Sequence, residues 1–182
     1  MTRAKIVAII PARWDSTRFP GKPLHPIAGK PLLQHVWERS CRAKTLDQVI
    51  IATDDMRIAE ASFDWGAEVS LTSARHSSGT DRIAEVAAKM PGVSHVINVQ
   101  GDEPLVDHNL LNRLVRQMQR DPKVEMITAV HPFENPEDAQ SPHQVKAVLD
   151  RQKCALYFSR SAIPFPRTRA AYFRHQGIYG YR

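Results

Sequence analysis

Arg13, Arg18 and Lys22 share one short segment, "IIPARWDSTRFPGKPL" from Ile9 to Leu24, directly after an apolar run. Three cations at the end of a strand suit a polyanion. Gly21 lets the backbone approach a ligand closely, and free N–H groups near a following helix add partial positive charge. A triphosphate fits that chemistry, although three basic residues alone are as well explained by a solvated loop. The segment is not a Walker A loop, because Pro23 follows Gly21-Lys22 where that motif needs Ser or Thr for magnesium. The chain has no GxGxxG, which weakens a dinucleotide reading.

"NVQGDEP", Asn98 to Pro104, puts Asp102 and Glu103 directly after a second apolar run. A carboxylate there can hold a magnesium ion that bridges substrate phosphates. Gly-Asp is also ordinary turn chemistry, and the metal reading gains only from the basic loop on a neighbouring strand. "RHSSGTDR", Arg75 to Arg82, gathers donors and acceptors at a helix start. They suit recognition of a base or ribose. Simple N-capping by Ser78 or Thr80 would account for part of the pattern, but less readily for Arg75 and Arg82.

These residues need elements to hold them. "KIVAII", "QVIIATD", "HVINVQGD" and "EMITAV" read as buried strands. Between them "PLLQHVWERSCRA", "MRIAEASFDWG", "GTDRIAEVAAKM" and "HNLLNRLVRQMQRD" carry apolar residues at helical spacing. The alternation predicts βαβ units, a mainly parallel sheet and helices on both faces. Ligands of such sheets bind at the carboxyl ends of the strands, where both loops fall. After about Glu134 the pattern changes. "QVKAVLD" and "CALYFSR" predict a hairpin turning at "DRQK", "AIPFPRTR" is too rich in proline for regular structure, and "HQGIYGYR" predicts a last strand.

The 182 residues suit one domain. Lys and Arg number 25 against 19 Asp and Glu, a net charge of +6 that favours anionic partners without naming them. No basic–aromatic nucleic-acid module is present, and no apolar run is long enough to cross a bilayer. Nucleic acid and membrane are therefore not expected as partners. Cys41 and Cys154 match no paired-thiol spacing, and two isolated thiols point to a reducing, cytoplasmic setting.

Taken together, "IPARWDSTRFPGKPL", "ATDD", "HSSGTDRIAE", "NVQGDEP", "VKAV", "ALYFSRSAIPFPR" and "HQGIYGYR" resemble the 3-deoxy-manno-octulosonate cytidylyltransferase family, in order from Ile9 to the terminus. "FSRSAIP" and "GIYGYR" set it apart from other sugar nucleotidyltransferases. The resemblance implies an α/β, Rossmann-like nucleotidyltransferase fold with a smaller β-rich part used for sugar binding and dimerisation. It also implies a homodimer that couples CTP with Kdo, an eight-carbon acidic sugar, and releases pyrophosphate. Arg13, Arg18 and Lys22 would grip the triphosphate, with Arg75, Ser78 and Thr80 beside the cytidine. Asp102 would bind Mg2+, and Arg13, Lys22 and Asp102 would together offset charge in the transition state. Gln100, Arg160, His175 and Tyr179 would contact the sugar, Arg160 being suited to its carboxylate. Family chains continue past "GIYGYR" into a segment with a second metal-binding aspartate, so residues 1–182 are read as a single domain lacking that segment. The alternatives left open are a transferase for another acidic sugar and a nucleotide-binding fragment without turnover.

Overall fold

The structure, a computed structural model, describes residues 5–15, 19–167 and 171–182. In chain order the elements are β1 (Lys5–Ala12), a 3-10 turn at Lys22–Leu24, β2 (Pro26–Ile27), β3 (Lys30–Pro31), α1 (Leu32–Cys41), β4 (Gln48–Thr53) and α2 (Met56–Asp64). There follow β5 (Glu68–Leu71), α3 (Gly79–Ala88), β6 (Val93–Asn98), α4 (His108–Arg120) and β7 (Met126–Pro132). A 3-10 turn at Pro136–Gln140, β8 (Lys146–Leu149), β9 (Ala155–Ser159) and β10 (Phe173–Tyr181) complete the chain. It divides into two compact units, one running to Ile127 and resuming at Ile178–Arg182, the other Thr128–Gly177.

In the first unit β5, β4, β1 and β6 lie in that order and all pair in parallel. The end of β10 adds antiparallel to β6, Tyr179 opposite Asn98. From β1 the chain steps outward through β4 to β5, then returns to place β6 on the other side of β1. That reversal makes the carboxyl ends of β1 and β6 a topological switch point, where loops diverge and leave a crevice. The mainly parallel sheet expected from the sequence is present. Ile6 to Ile10 of β1 are all buried, because helices cover both faces, and this is why the strand reads as an unbroken apolar run.

The helices follow from spacing and caps. In α4 the buried residues Leu111, Leu114, Val115 and Met118 recur at three- and four-residue intervals. Asp55, Ser78 and Asp107 cap α2, α3 and α4, each side chain accepting a backbone N–H of the first turn. Ser78 and Asp81 close a full capping box, with the hydroxyl accepting from the Asp81 N–H and the carboxylate accepting from the Ser78 N–H. Ile83 and Val86 of α3 pack on Val7, Ile9, Ile50, Ala52 and Val96. β5 and the β2–β3 ribbon were not expected from the sequence. β5 is only four residues long and half covered, and two-residue strands have no periodicity to read.

The second unit is antiparallel. β8 pairs with β9, Lys146 opposite Ser159, and with β10, Ala147 opposite Phe173. The predicted hairpin is present, its turn at Asp150 to Lys153 closed by the Asp150 N–H donating to the Cys154 carbonyl at 2.9 Å. Lys146, fully buried, donates to the carbonyls of Ser141 at 2.9 Å and Gln144 at 2.8 Å and to that of Arg160. Three donors meet three acceptors, so no carboxylate is needed to bury the ammonium.

Candidate active site

Loops from three elements meet at the switch point of the first unit around an open cleft of ≈ 300 Å³. Pro11, Ala12 and Arg13 reach it from β1, and Lys22 and Pro23 from the turn beyond. His76 to Gly79 and Arg82 reach it from the start of α3, and Gln100, Gly101 and Asp102 from the loop after β6.

Lys22 is placed by its neighbours. Gly21 takes a left-handed φ of 71°, and its N–H donates to the Trp14 carbonyl at 3.0 Å. A side chain at Gly21 would sit 3.0 Å from the Trp14 ring, so both φ and space favour glycine there. Trp14 is covered in turn by the Arg57 guanidinium, 3.6 Å from the ring centroid. Asp55 accepts from the Arg57 Nε at 2.9 Å and Nη2 at 2.5 Å, and these bonds hold its carboxyl below the usual carboxylate range. The cap of α2 thus also fixes the aromatic platform under the basic loop.

The β6 loop approaches β1 at backbone distance. A Cβ on Gly101 would lie 2.8 Å from the Pro11 carbonyl oxygen, so this position admits no side chain. The contact carries Asp102 to the basic loop, where its Oδ2 accepts from Lys22 Nζ at 2.6 Å. Gln100 donates through Nε2 to Asn98 Oδ1 at 3.0 Å. On the third wall Arg82 is buried, pairing with Asp54 at 3.1 Å and donating to the Thr72 hydroxyl.

Arg13, Lys22, Ser78, Gln100 and Asp102 therefore line one cleft. Arg75 and Thr80 are exposed and do not line it, and Arg18 lies outside the described residues. Tyr179 belongs to the same unit, on β10 opposite Asn98, with Tyr181 stacked 6.2 Å away. Burial raises its phenol, with Tyr181 adding to the shift. Arg160 and His175 lie in the second unit. Arg160 donates to the Pro142 carbonyl at 2.9 Å. The His175 ring lies 4.6 Å from that of Phe158, with its Nε2 2.8 Å from the Thr128 hydroxyl, and burial lowers its pKa. His76 carries no signal of its own in the sequence, yet it lines the cleft.

A parallel sheet with a cationic loop facing a carboxylate across its switch point defines a nucleotidyltransferase-type α/β unit. The sequence model of the cytidylyltransferases matches residues 7–182. The 3-deoxy-manno-octulosonate cytidylyltransferase of Syntrophobacter fumaroxidans is 51% identical over 183 residues, covering 97% of this chain and 73% of that protein. A solved structure of CMP:2-keto-3-deoxy-manno-octonic acid synthetase complexed with CTP superposes with a TM-score of 0.93 at 43% identity, covering 98% of this chain and 74% of the other. The 4-diphosphocytidyl-2C-methyl-D-erythritol synthase of Anaerococcus prevotii shares the fold alone, with a TM-score of 0.60 at 14% identity over 97% of this chain and 69% of that one. The chain belongs to the 3-deoxy-manno-octulosonate cytidylyltransferase family.

Proposed function

We propose that this enzyme couples CTP with Kdo to form CMP-Kdo and pyrophosphate, activating the sugar for lipopolysaccharide synthesis. The observation that carries the reading is the match, over nearly the whole chain, to the synthetase structure complexed with CTP. The anomeric hydroxyl oxygen of Kdo attacks the α-phosphorus and forms the new O–P bond. The bond from that phosphorus to the α,β-bridging oxygen breaks, pyrophosphate takes the electron pair, and the hydroxyl proton passes to solvent. Chemistry of this kind needs positioning and charge compensation more than covalent help.

Arg13 and Lys22 supply cations for the phosphates, and Arg18 is assigned with them from the sequence. Arg75, Ser78 and Thr80 are assigned to the cytidine, and only Ser78 of the three lines the cleft. Among the described residues no cluster of three metal-ligating side chains exists. That fits Mg2+ held by one carboxylate and completed by substrate phosphates and water. Asp102 would be its ligand, with 52% of the side chain exposed and its acid already beside Lys22. When bound, the ion neutralises phosphate charge and polarises the phosphorus–oxygen bonds. Gln100, Arg160, His175 and Tyr179 are assigned to the sugar, the guanidinium fork of Arg160 matching its carboxylate.

The working form is read as a cytoplasmic homodimer. Exposed free thiols at Cys41 and Cys154 agree with a reducing compartment, and no helix among the described residues is long and apolar enough to cross a membrane. The test is pyrophosphate release with each of the four nucleoside triphosphates, offered with Kdo or with sialic acid. Release confined to CTP plus Kdo is expected. Equal release with sialic acid, or CTP binding without turnover, would overturn the assignment.

A further inference from the structure

His76 lines the cleft, and an acid with no part in the mechanism dictates how its ring can hydrogen-bond. Its Nε2 sits 2.5 Å from Glu85 Oε2, on α3. The same oxygen accepts the Ser73 backbone N–H at 2.9 Å, and Oε1 accepts from Lys89 Nζ at 2.5 Å. Lys89, then Ser73 and His76, hold the Glu85 carboxyl at about 2. Glu85 is therefore an anion and can only accept, so the hydrogen on His76 must sit on Nε2. In the neutral ring this leaves the lone pair on Nδ1, and no described residue donates to it.

A lone pair cannot bind a phosphate, which also accepts; the phosphates have Arg13 and Lys22. It needs a donor. Cytosine carries an exocyclic amine where uracil carries a carbonyl oxygen, so the two bases present opposite polarity at that edge. We infer that His76 is a base-specificity residue that accepts from the cytosine amine through Nδ1, and that Glu85 is a positioning residue holding the required tautomer. The inference rests on the nucleotide assigned above, CTP, and goes beyond it in naming what rejects UTP.

The rival role is a staple in which Glu85 merely ties the loop from Ser73 to His76 onto α3. Affinity for CTP and for UTP, measured calorimetrically with magnesium and without sugar, separates the two. In Glu85→Gln one end of the group becomes a donor: with the amide oxygen kept toward Lys89, the amide nitrogen replaces the acceptor of Ser73 and donates to Nε2, which frees the opposite tautomer. The CTP-to-UTP affinity ratio is expected to fall about tenfold or more, since a mismatched buried polar pair costs that much. His76→Ala removes the lone pair outright and should weaken CTP with UTP unchanged, which keeps the question open to test if Glu85→Gln folds poorly. Equal losses for both nucleotides, or an unchanged ratio, would overturn the inference. A wild type that prefers CTP but releases no pyrophosphate with Kdo, with the ratio falling in the variants, would uphold it and sink the Kdo reading instead.

Discussion

Lys22 and Asp102 lie 2.6 Å apart with 37% and 52% of their side chains exposed, and a pair so wetted contributes at most about 1 kcal/mol to stability. The pair matters because it sets a cation and an acid at bonding distance in the mouth of the cleft. Lys22→Ala should therefore leave the melting temperature almost unchanged while transfer falls by about two to three orders of magnitude, the usual cost of losing a charge-stabilising group. A variant that turns over normally would remove the basic loop from the mechanism. Asp102→Asn should move the magnesium saturation of turnover to higher concentration, and an unmoved titration would remove its role as ligand. That Arg13, Lys22 and Asp102 line one cleft was legible in the sequence, because residue type and position after an apolar run pointed the same way. His76 was not, because its significance depends on Glu85, nine residues on, which only the winding of α3 brings back to it. Arg75 and Arg82 are equivalent in the sequence. One turn of helix buries Arg82 against Asp54 and leaves Arg75 in solvent.

The four helices and the longer strands were read correctly because each carries several buried positions at one period, and an error at one position leaves the rest intact. What escaped were links that no local pattern encodes, such as the approach of Gly101 to the Pro11 carbonyl and the platform of Trp14 under Arg57. Lys146 is the clearest case. Nothing in the strand "QVKAVLD" singles it out, yet it is fully buried and donates to three carbonyls. Desolvation lowers its pKa, and the Arg160 charge adds to the shift. Lys146→Met would keep the volume and leave three partly covered carbonyls without their donor, at about 2–4 kcal/mol. The expected result is a lower melting temperature together with a raised KM for Kdo, because the Arg160 backbone loses its anchor, with the KM for CTP unchanged. A loss of stability with both KM values intact would separate Lys146 from sugar binding.

At the scale of the molecule, the first unit owes its legibility to a parallel sheet buried on both faces, whose strands announce themselves as apolar runs. The second unit gave weaker signals, since much of its apolar surface is not inside it. In β9, which lies at the end of the strand order, Leu156 and Tyr157 are each 65% exposed. Adjacent strand residues point to opposite faces, so both faces leave apolar surface in solvent, and Phe158 and Phe165 add 38% and 87% exposed aromatics in the same unit. An edge strand that exposes apolar side chains on both faces invites association unless something protects it. A second copy of the chain is the covering the homodimer reading supplies. Leu156→Lys should then convert a dimer to a monomer in sedimentation equilibrium at micromolar concentration, because the charge would have to be buried without a partner. The first unit should keep its affinity for CTP, since the cleft draws no lining residue from β9. A wild type that sediments as a monomer would dispose of the dimer. A variant that stays dimeric would move the interface away from this strand.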